Sequence, residues 1–394
     1  MASSSPPKPL RRLGNSRAWG LDARWAFLNF GSFGARPLAV TQAASRWRRQ
    51  FERHPIRFLD EAFLWDRLDT ALQQVAKFLG ADRDGLVFVP NVTDAVAAVL
   101  QSVSWRRGDA ILTTSHAYGA VRRAIEATCA AHGTKAVVAS VPCPVESDAQ
   151  IEAIVFAAVT NRTRLAIIDQ VTSPTGLRLP VERLSRALRR RGIEVLVDAA
   201  HSAGMLPRPV TTSATWWTSN LHKWGFAPVG CAVLWTRRSR RATTRPTAIS
   251  HMHFNGYQQA FSWQGTRDVT AWLTAPDAIA WVRQREGWTA LRAHNARLAR
   301  WAGDQLSRAW DTETAGPPSV RKGVSMVTVR LPEAARTWRD PLRLRDALAD
   351  RHRVEAALWN DGPQWWVRVA TQAFVRGAHI DRLLEGIDDL VVQR

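Results

Sequence analysis

Lysine is scarce in this sequence. Of the 54 basic residues in the 394-residue chain only five are lysines, at positions 8, 77, 135, 223 and 322, and all the others are arginines. We therefore expect fewer of these lysines to be solvent-exposed residues without a specific role than in a lysine-rich protein. The arginines are spread along the whole chain and accompany no recognisable nucleic-acid-binding module, so the net charge of +20 does not by itself predict a nucleic-acid partner.

Cysteine and long apolar runs are also in short supply. Cys129, Cys143 and Cys231 are far apart and form no CxxC pair, which argues against a disulfide framework and against a metal site. No apolar run reaches the roughly 18 residues that a membrane-spanning helix needs. The first residues lack the apolar core of a signal peptide. We therefore expect a cytoplasmic protein without a membrane partner.

The hydrophobic pattern alternates between strand and helix periods through the middle of the chain. Short apolar runs at 86–89, 110–113, 165–168 and 194–197 predict buried strands, and the segments between them have helical spacing. Strands separated by helices predict an α/β fold with a mostly parallel sheet flanked by helices. After about residue 280 the mixed order of helices and strands predicts a smaller α+β C-terminal domain.

These patterns divide the chain into four segments. We expect a flexible tail at 1–20, an N-terminal segment at 21–45 that joins the small domain, a large domain at 46–280 and the small domain at 281–394. Ligands of parallel sheets bind beyond the carboxyl ends of the strands. This rule selects the segments that follow predicted strands, which lie at 91–93, 115–118, 172–176 and 198–201.

The strongest local signal is Lys223, which follows another predicted strand at 214–217. A lysine in a water-poor pocket has a lowered pKa and becomes a nucleophile toward an aldehyde, and Leu221 and Trp224 can form such a pocket. His222 and the hydroxyl of Ser219 can bind a phosphate beside it. Taken alone, the same residues also fit a solvated lysine in a turn.

Asp198 is the second signal, at the end of the apolar run 195–197. A carboxylate is costly to bury unless it meets a cation. A protonated pyridine nitrogen is such a cation, and the pairing keeps a pyridine ring an effective electron sink. The alternative is an aspartate that caps a helix.

The spacing of these two signals resembles a known family. An Asp-x-x-His at 198–201, followed about 25 residues after the aspartate by His-Lys, is similar to the class V aminotransferase superfamily, which contains pyridoxal-phosphate enzymes of fold type I. Within it the chain most resembles the isopenicillin N epimerase-like group, from about residue 28 to the C-terminus. The motifs that carry the resemblance lie at 28–34, 54–58, 171–176, 220–224 and 265–268.

The resemblance implies pyridoxal phosphate as cofactor and a role for each matching residue. Lys223 would form the Schiff base and move the Cα proton, Asp198 would pair with the pyridine nitrogen, and His201 and Ser173 would lie near the ring hydroxyl. The remaining predicted contacts are with the phosphate of the cofactor. Val92 and Thr93 would bind it at a helix start, where free N–H groups favour anions, and His222 with Ser219 or Asn220 would complete the site.

The resemblance also implies a homodimer with shared active sites, in which Thr266 would reach the phosphate of the neighbouring subunit. Either His116 or Tyr118 would stack on the ring and act as a second acid, and the sequence leaves this choice open. Arg368 would bind the substrate α-carboxylate, since a guanidinium holds a carboxylate by two parallel hydrogen bonds. Asn29 and Ser32 complete the predicted substrate-binding set.

Departures from the group fall on the substrate side of the predicted pocket. Phe30 and Gln170 stand where the group often has histidine, and Phe374 with Val375 replaces a polar pair. The cofactor prediction is unaffected by these changes, whereas the substrate prediction loses support.

These residues predict an enzyme that labilises the Cα–H bond of an amino acid or an amino-acid-containing peptide. Reprotonation on the opposite face gives epimerisation, a leaving group on Cβ gives a C–S lyase, and an aminotransferase is a third outcome. The motifs favour the epimerase-like reading slightly. A non-enzymatic binder of anionic polymers is the rival from another class, and the presence of Lys223 and Asp198 argues against it.

Overall fold

Twelve strands form three sheets in the computed structural model, which describes residues 5–392. The strands are β1 (Ala26–Phe27), β2 (Leu86–Val89), β3 (Ala110–Thr114), β4 (Lys135–Ala139), β5 (Thr163–Asp169), β6 (Glu194–Asp198), β7 (Trp216–Asn220), β8 (Ala232–Thr236), β9 (Met326–Arg330), β10 (Val354–Glu355), β11 (Ala357–Asp361) and β12 (Gln364–Ala370).

Fourteen α-helices in the same residue range pack on these sheets. They are α1 (Phe30–Phe33), α2 (Leu38–Arg53), α3 (Pro55–Leu59), α4 (Glu61–Leu79), α5 (Val92–Ser102), α6 (Gly119–His132), α7 (Asp148–Ala157), α8 (Val181–Arg190), α9 (Tyr257–Ser262), α10 (Thr270–Leu273), α11 (Ala275–Arg283), α12 (Gly287–Ala309), α13 (Pro341–His352) and α14 (Gly377–Val392).

The central sheet has seven strands in the order β2-β8-β7-β6-β5-β3-β4. All pairings from β7 through β4 are parallel, and β8 alone runs antiparallel to both of its neighbours. The predicted α/β fold with a mostly parallel sheet is confirmed. The central strands are buried because one apolar cluster on the α4 and α8 side and another on the α5 and α6 side cover both faces.

The C-terminal part of the chain contains a separate antiparallel sheet in the order β11-β12-β9, with α12, α13 and α14 packed around it. Strand β1 pairs with β10, and Asn29 forms an isolated bridge to Ala370. The N-terminal segment therefore lies against the C-terminal sheet. This contact brings Asn29 and Ser32 to the end of β12, where Arg368 also lies.

The segment expected to be a flexible tail is packed over much of its length. Leu13 and Trp19 are buried, and the indole N–H of Trp19 donates to the Leu13 carbonyl oxygen at 3.0 Å. Trp19 also makes edge contacts with the rings of Phe226 and Trp281. The expectation of a loose tail is corrected from about residue 10 onward, because an aromatic cluster in the core anchors this segment. Residues 1–4 lie outside the described range.

Two strand predictions differ from the structure. The strand expected at 214–217 begins two residues later, as β7, so that Ser219 and Asn220 are in the strand itself. Strand β4 was not predicted, although positions 136–139 are apolar; it lies at the sheet edge, where its residues are largely exposed. Within residues 5–392, no helix is both long and apolar enough to cross a membrane. The same range contains no cluster of three or more potential metal ligands.

Candidate active site

Polar side chains gather at the carboxyl ends of the central parallel strands. Asp169 ends β5, Asp198 ends β6 and Asn220 ends β7, while the loop that carries His116 follows β3. The carboxyl ends of parallel strands meet at one edge of a sheet, where ligands of such folds bind. The predicted cofactor residues are therefore brought to one edge of the central sheet.

Lys223 lies in the turn that follows β7 and is partly buried. Burial and the nearby charge of Arg368 lower the pKa of Lys223 to about 8, and the charge of Asp198 opposes this shift. The backbone of Gly34, at φ 70°, approaches so closely that a Cβ there would lie 2.6 Å from the His222 carbonyl oxygen. The turn that holds Lys223 is thus fixed by the N-terminal segment.

Asp198 is only 2% exposed and has one unused oxygen. Its Oδ1 accepts a hydrogen bond from the Ala200 N–H at 2.9 Å, whereas Oδ2 has no partner among residues 5–392. Burial raises the pKa of Asp198, and the Ala200 N–H and the charge of Lys223 counteract the rise. An unpaired buried carboxylate is costly, so this oxygen suits a cationic ligand group.

A second buried carboxyl, Asp169, lies beside Asp198 and was not predicted from the sequence. The two residues are paired in the register of β5 and β6, so their side chains leave the sheet on the same face. Burial and the neighbouring charge of Asp198 raise the pKa of Asp169 well above its ordinary value. The signal was available, because Asp169 ends an apolar run as Asp198 does, but the predicted strand stopped at residue 168.

His201, in the turn that follows β6, is also buried. Its Nδ1 accepts a hydrogen bond from the Trp224 indole N–H at 3.3 Å, and its Nε2 has no partner in the described part of the chain. Burial, with the charges of Lys223 and Arg368, lowers the pKa of His201 well below its ordinary value. The ring is therefore neutral.

The predicted phosphate site lies at the N-terminus of α5. The Val92 N–H already donates to Asn220 Oδ1 at 3.1 Å, and the Asp94 N–H donates to the capping Asn91 side chain at 2.9 Å. Thr93 is exposed, and its N–H makes no hydrogen bond to any residue within 5–392. Of the two predicted N–H groups, that of Thr93 is the one left for an anion.

Ser219 and His222 differ in their relation to this helix start. The Ser219 hydroxyl donates to the Ala199 carbonyl oxygen and accepts from the Ala203 N–H, so it ties β7 to the loop after β6. His222 uses Nδ1 to donate to the Cys231 carbonyl oxygen at 2.9 Å. Burial and the charge of Lys223 lower the pKa of His222 to about 4. Of the predicted alternatives, Asn220 rather than Ser219 contacts the helix start.

His116 and Tyr118 are in contrasting environments. His116 is buried, with Nε2 close to the Val141 and Pro142 carbonyl oxygens at 3.1 and 3.2 Å and Nδ1 2.8 Å from the Thr175 hydroxyl. The carbonyls can only accept, so Nε2 carries the proton and Nδ1 accepts from Thr175. Burial lowers the pKa of His116. Tyr118 is 49% exposed.

Arg368, on β12, is 4% exposed and joins the predicted substrate residues. Its Nη1 donates to the Ser173 carbonyl oxygen, and its Nη2 donates to Asn29 Oδ1 at 2.8 Å and to Ser32 Oγ at 3.1 Å. No described carboxylate forms an ion pair with it, and its Nε has no partner within residues 5–392. Burial lowers the pKa of Arg368 to about 10. A buried guanidinium without a counter-ion suits an anionic ligand.

A cavity of about 700 Å³ opens in front of Arg368. It is bordered by Ser32, Ser173, His116 and Tyr118, and on the far side by the β11–β12 hairpin with Trp359. Cys143 also lines it, which the sequence did not indicate; burial and the charges of Asp361 and Glu313 raise the pKa of its thiol to about 12.

Thr266 is exposed in the loop after α9 and is not among the residues that line this cavity. Its predicted contact with the phosphate of a neighbouring subunit stays a prediction.

Gln170 points away from the cavity. Its side chain donates to the Pro209 carbonyl oxygen at 2.8 Å and accepts from the Trp217 indole at 3.1 Å. Phe30 lies next to Trp224, with the ring centroids 5.0 Å apart. Gln170 is therefore part of the protein interior and does not face the cavity. Phe30 contacts the turn that carries Lys223.

The arrangement of these residues can be compared with known proteins. The family model described as Aminotransferase class-V matches residues 40–338. The chain belongs to the class V aminotransferase family. Pyridoxal phosphate, the predicted cofactor, is the cofactor of that family, so this prediction and the fold type I prediction are confirmed.

Two relatives illustrate the range of activities within class V. The chain is 31% identical to a probable chloroplastic L-cysteine desulfhydrase of Arabidopsis thaliana, over 94% of this chain and 84% of the relative. It is 29% identical to the isopenicillin N epimerase of Streptomyces clavuligerus, over 94% and 96%. Among solved structures, the apo cysteine desulfurase of Thermococcus onnurineus covers 100% of both chains with a TM-score of 0.79 and 19% identity, which shows the shared fold.

Proposed function

We propose that the chain removes the Cα proton of an amino acid at pyridoxal phosphate held on Lys223, with Arg368 binding the substrate carboxylate. The observation that carries the proposal is the set of buried, unpartnered atoms among the described residues: Asp198 Oδ2, His201 Nε2 and Arg368 Nε. Asp198 offers an anion to a pyridinium and His201 a hydrogen-bond donor to a ring oxygen, both of which the cofactor presents. Arg368 offers a cation to the carboxylate of an amino acid.

Each of these side chains has one task in the proposal. Asp198 holds a protonated ring nitrogen, and Thr93, His222 and Asn220 surround the phosphate at the start of α5. When bound, the cofactor supplies the electron-withdrawing ring that acidifies Cα–H. The pKa of about 8 for Lys223 leaves a useful fraction of neutral amine to accept the proton at Nζ.

For the outcome of deprotonation, one observation favours elimination over epimerisation. Inversion needs a second acid opposite Lys223, and of the two candidates His116 has both ring nitrogens hydrogen-bonded and is kept neutral by burial, which leaves only the exposed Tyr118. Elimination needs one base: the Cα–H bond breaks with its proton going to Lys223, the C–S bond breaks with its electron pair leaving on sulfur, and Cα=Cβ forms. A C–S lyase is therefore the outcome that we propose, with epimerisation as the second candidate.

The substrate class in this proposal is an amino acid with a sulfur leaving group on Cβ. The cavity of about 700 Å³ is also lined by the predicted cofactor residues His116 and Ser173, so its volume serves the cofactor and the substrate together. The L-cysteine desulfhydrase named above supports the sulfur-containing leaving group. The raised pKa of Cys143 keeps its thiol protonated, so it is a poor acceptor of persulfide.

The reaction outcome is tested with L-cysteine and an S-alkyl cysteine in heavy water. We expect pyruvate, ammonia and the sulfur product in equal amounts, and no D-isomer in the recovered substrate. Tyr118→Phe should change the elimination rate by less than about 3-fold, because Lys223 alone handles the proton. The matched control is Tyr257→Phe, which alters the other tyrosine of the chain; Tyr257 is partly buried, does not line the cavity and is bonded to Thr236 at 2.8 Å.

Inverted product without pyruvate would refute elimination. If, in addition, Tyr118→Phe slowed inversion far more than it slowed deuterium exchange at Cα, the second candidate would be established with Tyr118 as the second acid.

A homodimer with shared sites belongs to the same proposal. Phe33, next to Ser32 of the site, is 79% exposed, and Phe254 is 91% exposed. Aromatic side chains dominate the energetics of interfaces, so these two rings are candidates for burial by a second copy of the chain. A second copy of the chain that covers them could bring its Thr266 to the phosphate. A cytoplasmic location is also part of this proposal.

Subunit mixing tests the shared site. Lys223→Ala and Thr266→Ala subunits, each expected to have little activity alone, should regain up to about a quarter of wild-type activity when they are mixed, because one of the two hybrid sites is intact. Light scattering of the same samples gives the oligomeric state. An active monomer, or a mixture no more active than its components, would contradict a site built from two chains.

A further inference from the structure

The hydrogen bond between Trp224 and His201 has a chemical consequence for the ring-oxygen end of the site. An indole N–H can only donate, so the His201 Nδ1 that receives it at 3.3 Å must be a lone pair. The His201 ring is neutral, since burial and the charges of Lys223 and Arg368 lower its pKa. Its single proton is therefore on Nε2.

This Nε2–H is a buried donor without an acceptor within the described residues. An unsatisfied buried donor costs free energy, so its presence points to a ligand atom that accepts. The charges that act on His201 are those of Lys223, in the turn after β7, and Arg368, on β12, and Asp198 at the end of β6 acts on Lys223. Asp169 lies beside Asp198, on the same face of the sheet.

We propose that Trp224 is a positioning residue that fixes the Nε2–H tautomer of His201, so that His201 donates a hydrogen bond to the anionic ring oxygen of the cofactor. The inference rests on the proposed function, because it takes the cofactor ring to lie between Asp198 and His201. Without the indole donor, the proton of His201 is free to move to Nδ1, and Nε2 would then present a lone pair to an anionic oxygen.

The surroundings of Trp224 leave its N–H no other partner within residues 5–392. Its indole packs against Phe30, which offers no acceptor, with 5.0 Å between the ring centroids. Gly204, at φ 89°, lies so close to the Trp224 backbone carbonyl that a Cβ would collide with it, which ties the backbone at Trp224 to the loop after β6. The indole N–H itself is directed at His201 Nδ1.

The test is a pH titration of the visible absorbance of the bound cofactor in Trp224→Phe. A donor to the ring oxygen stabilises the oxygen anion most when the nitrogen of the lysine–cofactor linkage has lost its proton. Loss of that donor should raise the midpoint of the titration by about one pH unit, the size of one hydrogen bond to a charged group. Phenylalanine keeps an aromatic ring against Phe30.

The matched control is Trp217→Phe. Trp217, on β7, is also a buried tryptophan, but its N–H donates to Gln170 outside the site at 3.1 Å, so the midpoint of this variant should equal that of the wild type. In a His201→Gln background, where the side-chain amide donates without a tautomer to fix, adding Trp224→Phe should move the midpoint no further.

Nitrogen NMR of wild-type protein labelled at histidine gives an independent measurement that does not depend on the folding of a variant. It should show His201 protonated at Nε2 and not at Nδ1. A proton on Nδ1, or an unchanged midpoint in a Trp224→Phe protein that still forms the borohydride-stable adduct at Lys223, would overturn the role of Trp224 alone. Absence of that adduct from wild-type protein would instead overturn the proposed function.

Discussion

Lys223→Ala is expected to lower kcat by about 10⁴-fold or more, because it removes both the group that attaches the cofactor and the base that takes the Cα proton. Wild-type protein reduced with borohydride should carry the cofactor on Lys223, as peptide mass spectrometry can establish. Lys135→Ala, at an exposed lysine on edge strand β4, is the matched control and should retain activity and adduct. An adduct on Lys77 or Lys135 would contradict the assignment.

The pKa of about 8 for Lys223 makes the attachment of the cofactor depend on pH. Only the neutral amine attacks an aldehyde, and its fraction falls about tenfold for each pH unit below the pKa. The rate at which cofactor-free protein captures pyridoxal phosphate should therefore rise with pH up to about 8 and level off above it. Stopped-flow absorbance measures this rate, and a profile that still rises steeply to about pH 10 would show an ordinary, solvated lysine.

Asp198→Asn is expected to retain cofactor but to lower kcat by about 10²- to 10³-fold, because a neutral amide cannot stabilise a protonated ring nitrogen. The adduct at Lys223 should still form, which separates this variant from Lys223→Ala. Asp169→Asn is the informative neighbour, since burial and the charge of Asp198 raise the pKa of Asp169 and favour its neutral form. Asp169→Asn should therefore have close to wild-type turnover. If Asp198→Asn also had near-wild-type turnover, the proposed role of Asp198 would be refuted.

The Asp198→Asn substitution should also change the stability of the cofactor-free protein. Burial raises the pKa of Asp198 above the unfolded value of 3.8, so its contribution to stability is fully present at low pH and is lost as pH rises through the raised pKa. The amide that replaces this carboxyl does not titrate, so thermal unfolding of the variant should depend less on pH above about 4. The raised pKa of Asp169 makes stability fall with pH in the same direction, so part of the pH dependence of thermal unfolding should remain in Asp198→Asn.

The sequence was most informative where one local pattern implied both an element and its chemistry. The apolar runs of β2 and β6 predicted strands because these strands are covered on both faces, and the aspartate that ends β6 was recognised because an acid after such a run needs a partner. Strand β4 was missed although positions 136–139 form a short apolar run, and only the structure shows that this run lies exposed at the edge of the sheet.

Residues that act through tertiary contacts were harder to recognise. The sequence indicates Trp224 only as an apolar neighbour of Lys223, and nothing local shows that its N–H meets a histidine 23 positions earlier in the chain. Thr175, which bonds to His116, is separated from it by 59 positions. Such pairs form between loops that follow neighbouring strands of the sheet. The separation of two residues in the sequence does not predict that their loops will be in contact.

What the sequence by itself determined is the family, the cofactor and the order of most strands and helices, because these depend on residue types at short spacings. The tertiary structure alone decided which N–H at the start of α5 is left for an anion, that Ser219 ties β7 to the loop after β6, and that His116 has both nitrogens occupied. It also decided that the guanidinium of Arg368 is buried without a counter-ion among the described residues. The physical reason is that hydrogen-bond partners and desolvation depend on which groups lie close together in space. Most of these groups are far apart in the sequence, so local patterns do not predict them.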